Sequence, residues 1–333
     1  MAVTKNESVL TRAIRTVFAK FGRHRMQLTV LGTFLVILAA FYIKDPAAFS
    51  TFALYSALLS LTPIMLILSM SETLIVINGD FDMSFPSIMG LSAMIFMFIF
   101  FSTGNSVIAL LGALCVSTAI GVLNGVLVAK LGLPSLIATI GGLFLWRGVV
   151  TGITQGQNVI PGLRQTPLYS ILVGELFGFI PVQTFWAIGI MILFWFVLNR
   201  HKFGAHIYCI GDNRESAKMM GINVTRTKIL IFTLMGLFSG FAGVMNLLEM
   251  GIFFPSLGQN FFLPAIAAVF VGGTSPFGGE GTVFGSFIGG LILGLLEVGI
   301  PGIGFAGLWR EMFFGLILII SLVIQASIRR RVR

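Results

Sequence analysis

Long apolar stretches broken by short polar ones set the rhythm of this 333-residue chain. Residues 27–43, 106–129 and 229–248 contain no Lys, Arg, Asp or Glu. About 20 residues of helix cross a bilayer core, so each block is a predicted span. The same pattern predicts ten spans, at about 27–43, 48–77, 84–102, 106–129, 135–153, 184–198, 229–248, 263–274, 282–299 and 309–327. The second is too long for one straight helix, is interrupted by Pro63, and ends in the polar run Asn78-Gly79-Asp80-Phe81-Asp82. The eighth is short and runs into Gly272-Gly273-Thr274-Ser275-Pro276-Phe277-Gly278-Gly279-Glu280-Gly281. Non-helical backbone survives at membrane depth only where protein buries it or a wet cavity meets it. Two such interrupted segments, one in each half of the chain, point to a transporter's pathway. Spans two to five and seven to ten start from opposite sides, a topology compatible with an inverted repeat, although no sequence symmetry is evident.

Composition narrows the class. The chain is 56% apolar and 10% charged, with a mean hydropathy of +1.00. That leaves too little polar surface to cover a soluble domain, so an all-α polytopic membrane protein is expected and soluble enzyme folds are excluded. The net charge of +9 raises nucleic acid as a partner until its distribution is read. Sixteen of the 21 basic residues lie in three clusters, from Lys5 to Arg25, from Arg200 to Lys228, and from Arg329 to Arg333. The positive-inside rule accounts for this without any nucleic acid, and ten spans bring every cluster, and Lys130, to one side. Both termini and the central loop are thus expected in the cytoplasm. Cys115 and Cys209 have no CxxC partner, and His24, His201 and His206 lie beside basic clusters, so no metal ligand set is expected. The N-terminus lacks the cleavage pattern of a signal peptide.

Catalytic motifs are missing. There is no GxxxxGK[ST] loop, no HExxH and no GxSxG. Gly302 to Gly307 matches GxGxxG but follows no strand, so it reads as a chance match. No catalytic residues are assigned. Gly121 and Gly125, Gly236 and Gly240, and Gly285 and Gly289 read as close-packing positions between helices. Trp146, Trp186, Trp195 and Trp309 fit interfacial placement. Glu249 and Glu297 sit at span ends and read as solvated.

The central loop is the most informative stretch. Asp212 or Asn213 can cap a helix, Arg214 to Met220 can form two turns, and Gly221 can stop it. An exposed helix ending in Met219, Met220 and Ile222 is more than a connector needs, and a docking element for a soluble partner is expected.

These residues resemble the coupling loop of the permeases of bacterial ABC sugar importers, the ribose, xylose, arabinose and galactoside type. Phe203-Gly204, Ile207-Tyr208, Ile210-Gly211, Asn213, Ala217 and Gly221-Ile222 stand at the positions of that family's T-x-F-G-x-x-I-Y-A-I-G-x-N-x-x-A-A-x-x-x-G-I pattern. Pro264 to Val269 followed by Gly272-Gly273-Thr274-Ser275, and Asn124-Gly125 followed by Pro134 to Thr139 and Arg147-Gly148, extend the match to about residues 50–325. One departure stands out. The family's G-G-I-D-L-S-V-G-S is Gly79-Asp80-Phe81-Asp82-Met83-Ser84-Phe85-Pro86-Ser87 here, so Asp80 and Pro86 replace glycines.

The resemblance implies a type II ABC importer-like fold of about ten helices with discontinuous segments, residues 1–333 forming one transmembrane permease domain. Residues 1–26 and 328–333 would be cytoplasmic, and 199–228 the cytoplasmic coupling loop. It implies a second permease subunit, two ABC ATPase subunits that bind ATP and Mg, and a periplasmic or lipid-anchored solute-binding protein. This chain, embedded in lipid of the inner membrane, would bind no cofactor or metal. The expected function is ATP-driven import of a small polar solute, a monosaccharide or related polyol. Gly211, Asp212, Asn213, Arg214, Glu215, Ala217, Lys218, Met220 and Gly221 are the expected coupling residues. Asp80, Asp82, Ser84, Asn124, Thr139, Arg147, Thr274 and Ser275 are candidates for the path, with Asp82 and Ser84 expected to face water or else to cap the next helix. The alternatives are an ion-coupled secondary transporter using Asp80, Asp82 and Glu72, and an intramembrane enzyme.

Overall fold

The computed structural model describes residues 25–332. The expected N-terminal segment 1–26 lies outside them except for its last two residues, as does Arg333 of the tail.

The chain is helical almost throughout. In order come α1 (Arg25–Lys44), α2 (Phe52–Ile77), α3 (Phe85–Thr103), α4 (Ser106–Ala129), α5 (Ser135–Thr154) and α6 (Val182–Arg200). They are followed by α7 (Lys202–Asp212), α8 (Arg214–Met219), α9 (Val224–Met250), α10 (Phe262–Val271), α11 (Val283–Gly302) and α12 (Arg310–Val332). Among the described residues eight helices, α1 to α6, α9 and α11, are long and apolar enough to cross a membrane. The expected tenth span falls in α12. The expected eighth is α10, whose ten residues reach only about 15 Å. Pro63 does not interrupt α2, which runs unbroken for 26 residues. Its missing N–H costs one bond of the ladder. Among the described residues one strand pair, Glu175–Leu176 with Ile180–Pro181, forms a small hairpin between α5 and α6.

Helices α2, α3, α9 and α11 form the core, with α1, α5 and α6 largely peripheral. In lipid the apolar faces gain little from meeting each other, and close backbone packing brings helices together instead. The small-residue pairs act this way: a Cβ on Gly121 would sit 3.0 Å from the Gly236 Cα, so α4 and α9 meet backbone to backbone.

Two unwound segments interrupt this bundle. Asn78 to Ser84 separates α2 from α3 and climbs along α5. The Phe81 N–H donates to the Ser135 hydroxyl at 3.2 Å, the Met83 N–H to Thr139 Oγ1 at 3.0 Å, and Ser87 Oγ to the Leu143 carbonyl at 2.7 Å. From Ser135 to Leu143 is about 12 Å of helix rise, so α3 begins well inside the bundle, with Pro86 in its first turn where no N–H is needed.

The second segment runs from Gly251 to Phe261, between α9 and α10. Phe253 exchanges backbone hydrogen bonds with Val159, and Gly258 turns the chain at φ +98°. Phe85 and Phe262, at the starts of α3 and α10, lie 6.0 Å apart between ring centroids. The two interrupted helices therefore meet N-terminus to N-terminus inside the bundle. This corrects the expectation that 272–281 is the partner of the first break. In each half it is the second spanning helix that starts late, and 272–281 is instead the turn between α10 and α11.

Candidate functional site

The first break is built on carboxylates. Asp82 and Ser84 are fully buried, so they face neither water nor lipid in this conformation. Asp82 Oδ1 accepts from the Ser84 N–H at 2.7 Å and from Ser84 Oγ at 2.6 Å, while Asn124 of α4 donates to Ser84 Oγ at 2.8 Å. Ser84 is the residue before α3, yet its side chain makes no capping bond. The expected cap is therefore replaced by a turn closed on Asp82. Glu72 of α2 accepts from the Asp82 N–H at 3.0 Å through Oε1, and its Oε2 has no hydrogen-bond partner. Below this lies an ion pair: Lys228 Nζ sits 2.6 Å from Asp80 Oδ2, both side chains under a tenth exposed, and Asn78 donates to the same oxygen. The acid that departs from the family pattern thus has a buried cation of its own.

Thr139 joins this network through Met83. Thr274 lies elsewhere, in a second buried hydroxyl cluster: Thr73 Oγ1 donates to Ser286 Oγ at 2.7 Å, which lies 3.4 Å from Thr274 Oγ1. Ser275 belongs to the α10–α11 turn, where its hydroxyl accepts from the Phe277 N–H. Arg147 is exposed on α5 and joins neither cluster. Glu297, expected to be solvated, pairs with Arg310. Lys228 was legible only as one member of a basic cluster. Its position five residues into α9 was the available signal. Asn78 lies in the polar run that ends the second span and Ser135 in the Pro134 to Thr139 motif, which were the signals for them, and Ser286 had none.

The 199–228 segment folds as its capping residues dictate. Asn213 Oδ1 accepts from the Ser216 N–H at 2.9 Å, α8 follows, and Gly221 stops it at φ +78°. The Lys218 ammonium, 2.8 Å from Glu215, holds that carboxyl below its usual range. Met219 and Met220 project into the open at 83% and 70% exposure. The preceding helix, α7, lies where the sequence pattern shows only loop. It is capped by His201, which accepts from the Phe203 N–H, and it buries Gly204, Ile207 and Ile210.

Helix α7 is what joins this segment to the bundle. Its Gly211 lies directly against the Ile77 carbonyl and the Gly279 N–H, so any side chain there would collide. The Gly279 N–H donates to the Ile77 carbonyl at 2.8 Å, and Tyr208 Oη donates to the Gly281 carbonyl at 2.8 Å. Burial raises the Tyr208 phenol above its usual range, keeping it a neutral donor. The end of α2, the α10–α11 turn and α7 are thereby held backbone to backbone at one point. Among the described residues no group of His, Cys, Asp and Glu could hold a metal ion.

A bundle with two late-starting helices and an external helical segment seated on one of the breaks is the architecture of a transport permease. The family model described as branched-chain amino acid transport system / permease component matches residues 54–322, and the chain belongs to this family. It is the membrane-spanning permease subunit of an importer of the ATP-binding-cassette class, a multi-pass inner-membrane protein. It is 30% identical to the ribose import permease protein RbsC of Escherichia coli K12 over 308 residues, 90% of this chain and 94% of that one. It is 34% identical to the fructose import permease protein FrcC of Rhizobium meliloti over 296 residues, 85% of this chain and 80% of that one. The autoinducer 2 import system permease protein LsrC of Yersinia pseudotuberculosis YPIII is 29% identical over 310 residues, 93% and 87% of the two chains. No solved structure matches the chain. Membership favours the importer reading over ion-coupled transport.

Proposed function

We infer that this chain imports a monosaccharide or a closely related polyol, with ATP and Mg bound by two separate ATPase subunits and none by this chain. A second permease subunit and a periplasmic or lipid-anchored binding protein complete the assembly. Both termini and residues 199–228 face the cytoplasm in this reading, which the clustered basic residues support. The relatives named for ribose and fructose import support the substrate class.

The observation that carries the reading is the junction at Gly211. A movement of α8, gripped through Met219 and Met220 by an ATPase, passes through α7 to Ile77 and Gly279 and so to both the first break and the α10–α11 turn. The Asp80–Lys228 pair adds a second tie, from the start of α9 to the same break. Asp82, Ser84, Asn124 and Thr139 then close the cytoplasmic side of the path, and Thr274 and Ser275 move with the turn. Arg147 stands apart from this machinery.

The test is uptake of radiolabelled D-ribose by the assembled importer in proteoliposomes. Met220→Glu should abolish ATP-dependent uptake while the chain still folds. ATP hydrolysis by the pure chain, or uptake driven by an ion gradient without ATP, would overturn the reading.

A further inference from the structure

A second polar feature lies at the other break. A cavity of about 140 Å³ opens between α2, the end of α9, the α9–α10 segment, α10 and α11. A cavity of about 150 Å³ accommodates a benzene-sized ring, so this one has room for a single small ring. Its apolar walls include Phe254 and Phe261, and its polar lining is Thr62, Asn246, Asn260 and Glu297. Thr62 is 3% exposed and Asn246 4%, and the Thr62 hydroxyl has no hydrogen-bond partner. Asn260 is exposed at the mouth, and Glu297 is held by Arg310. Gly294 faces Thr62 so closely that a Cβ there would strike its side chain.

A buried hydroxyl left unpaired is costly, and four polar groups converging on one small space inside a membrane bundle call for a ligand that can pair with them. A lipid chain cannot. A sugar can, because it carries hydroxyls around its edge and C–H faces that suit aromatic walls, and binding pockets share this mix of apolar lining and a few placed polar groups.

We propose that this cavity is a monosaccharide-binding station within the permease, in which Thr62, Asn246 and Asn260 take the hydroxyls of a pentose-sized polyol ring. The proposal rests on the import reading above and deepens it. Thr62 lies ten residues, about 15 Å, along α2 from Glu72. The station is therefore separated from the first break by a stretch of α2, and the closed carboxylate network lies beyond it.

The test uses the full chain in nanodiscs with Cys115 and Cys209 changed to Ser and Met250→Cys as a reporter, Met250 being a half-exposed residue of the cavity lining that takes no part in the proposed binding. D-ribose at tens of millimolar should slow labelling by a small thiol reagent about threefold or more, as expected when ligand exceeds its dissociation constant. Adding Thr62→Val, which keeps the volume but removes the hydroxyl, should cancel that protection. Asn246→Leu is the second variant, should Thr62→Val fail to fold. Unchanged labelling with ribose, or equal protection in the Thr62→Val background, overturns the station. So does protection by decanol but not by ribose, which would make the cavity a lipid crevice. Ribose uptake by the assembled importer is measured in parallel. Uptake without protection sinks the station and leaves the import reading standing, whereas protection without uptake does the reverse.

Discussion

The two breaks solve one physical problem with opposite chemistry. At Asn78 to Ser84 the freed backbone is met by side chains: Glu72, Asp82, Ser135 and Thr139 take its N–H groups, and Lys228 balances the added Asp80. At Gly251 to Phe261 there is no acid or base at all. The backbone pairs with Val159 or with itself, and Phe253 and Leu257 fill the space, both essentially unexposed. A helix can thus be interrupted inside a membrane protein by supplying polar side-chain partners or by pairing the freed backbone with itself around buried Phe253 and Leu257. The polar solution places charges where a mechanical signal can act on them. The charge-free one leaves room for a cavity.

The contrast can be broken by substitution, and the largest effect is expected at the ion pair. Lys228→Ala leaves Asp80 buried without its cation and should cost about 3–5 kcal/mol of stability. Converting the pair to apolar residues, Asp80→Leu with Lys228→Met, should cost far less, because it makes the first break resemble the second. Thermal unfolding of the purified chain in detergent compares the two, and equal losses would deny the pairing. In the charge-free segment Leu257→Ala should cost about 2–3 kcal/mol as a cavity, with no dependence on salt. Asp82→Ala should follow at about 1–3 kcal/mol, since the Ser84 N–H loses its acceptor in a buried site. Asp82→Asn keeps an acceptor and should lose less. The smallest change is Gly221→Ala, where a left-handed residue gains a side chain at about 1 kcal/mol. It should show only as faster hydrogen exchange over residues 213–221.

The same contrast decides what could be read from the chain. Span positions followed from uncharged runs of sufficient length, and α8 followed from Asn213 and Gly221, whose backbone roles are local. The polar break announced itself through Asp80 and Asp82. The other break is legible only as the connection between the spans at 229–248 and 263–274, and it is the tertiary pairing of Phe253 with Val159 that seats it inside the bundle. The Gly-rich 272–281, whose glycines and polar residues suggest a break, is a turn. Helix α7 is hidden in the sequence because Gly204 and Gly211 lower its helix propensity and its burial depends on α2 and the α10–α11 turn. The Asp80–Lys228 pair joins residues 148 positions apart, and nothing local marks it.

Helix lengths bear on that pair in another way. The 26 residues of α2 and 27 of α9 rise about 39 and 40 Å, against a hydrocarbon thickness of roughly 30 Å. Some of each helix must emerge into the headgroup layer or be taken up by tilt. Asp80 lies three residues beyond the end of α2 and Lys228 is the fifth residue of α9, so the pair belongs to this overhang. The worth of the pair is therefore set partly by the lipid. A thin bilayer puts water and phosphates around the protein at this level, ready to solvate the buried charges once they part, while a thick one surrounds it with acyl chains, where parting the charges becomes much harder. Bilayer thickness, through this single contact, becomes a control on how readily the first break can move.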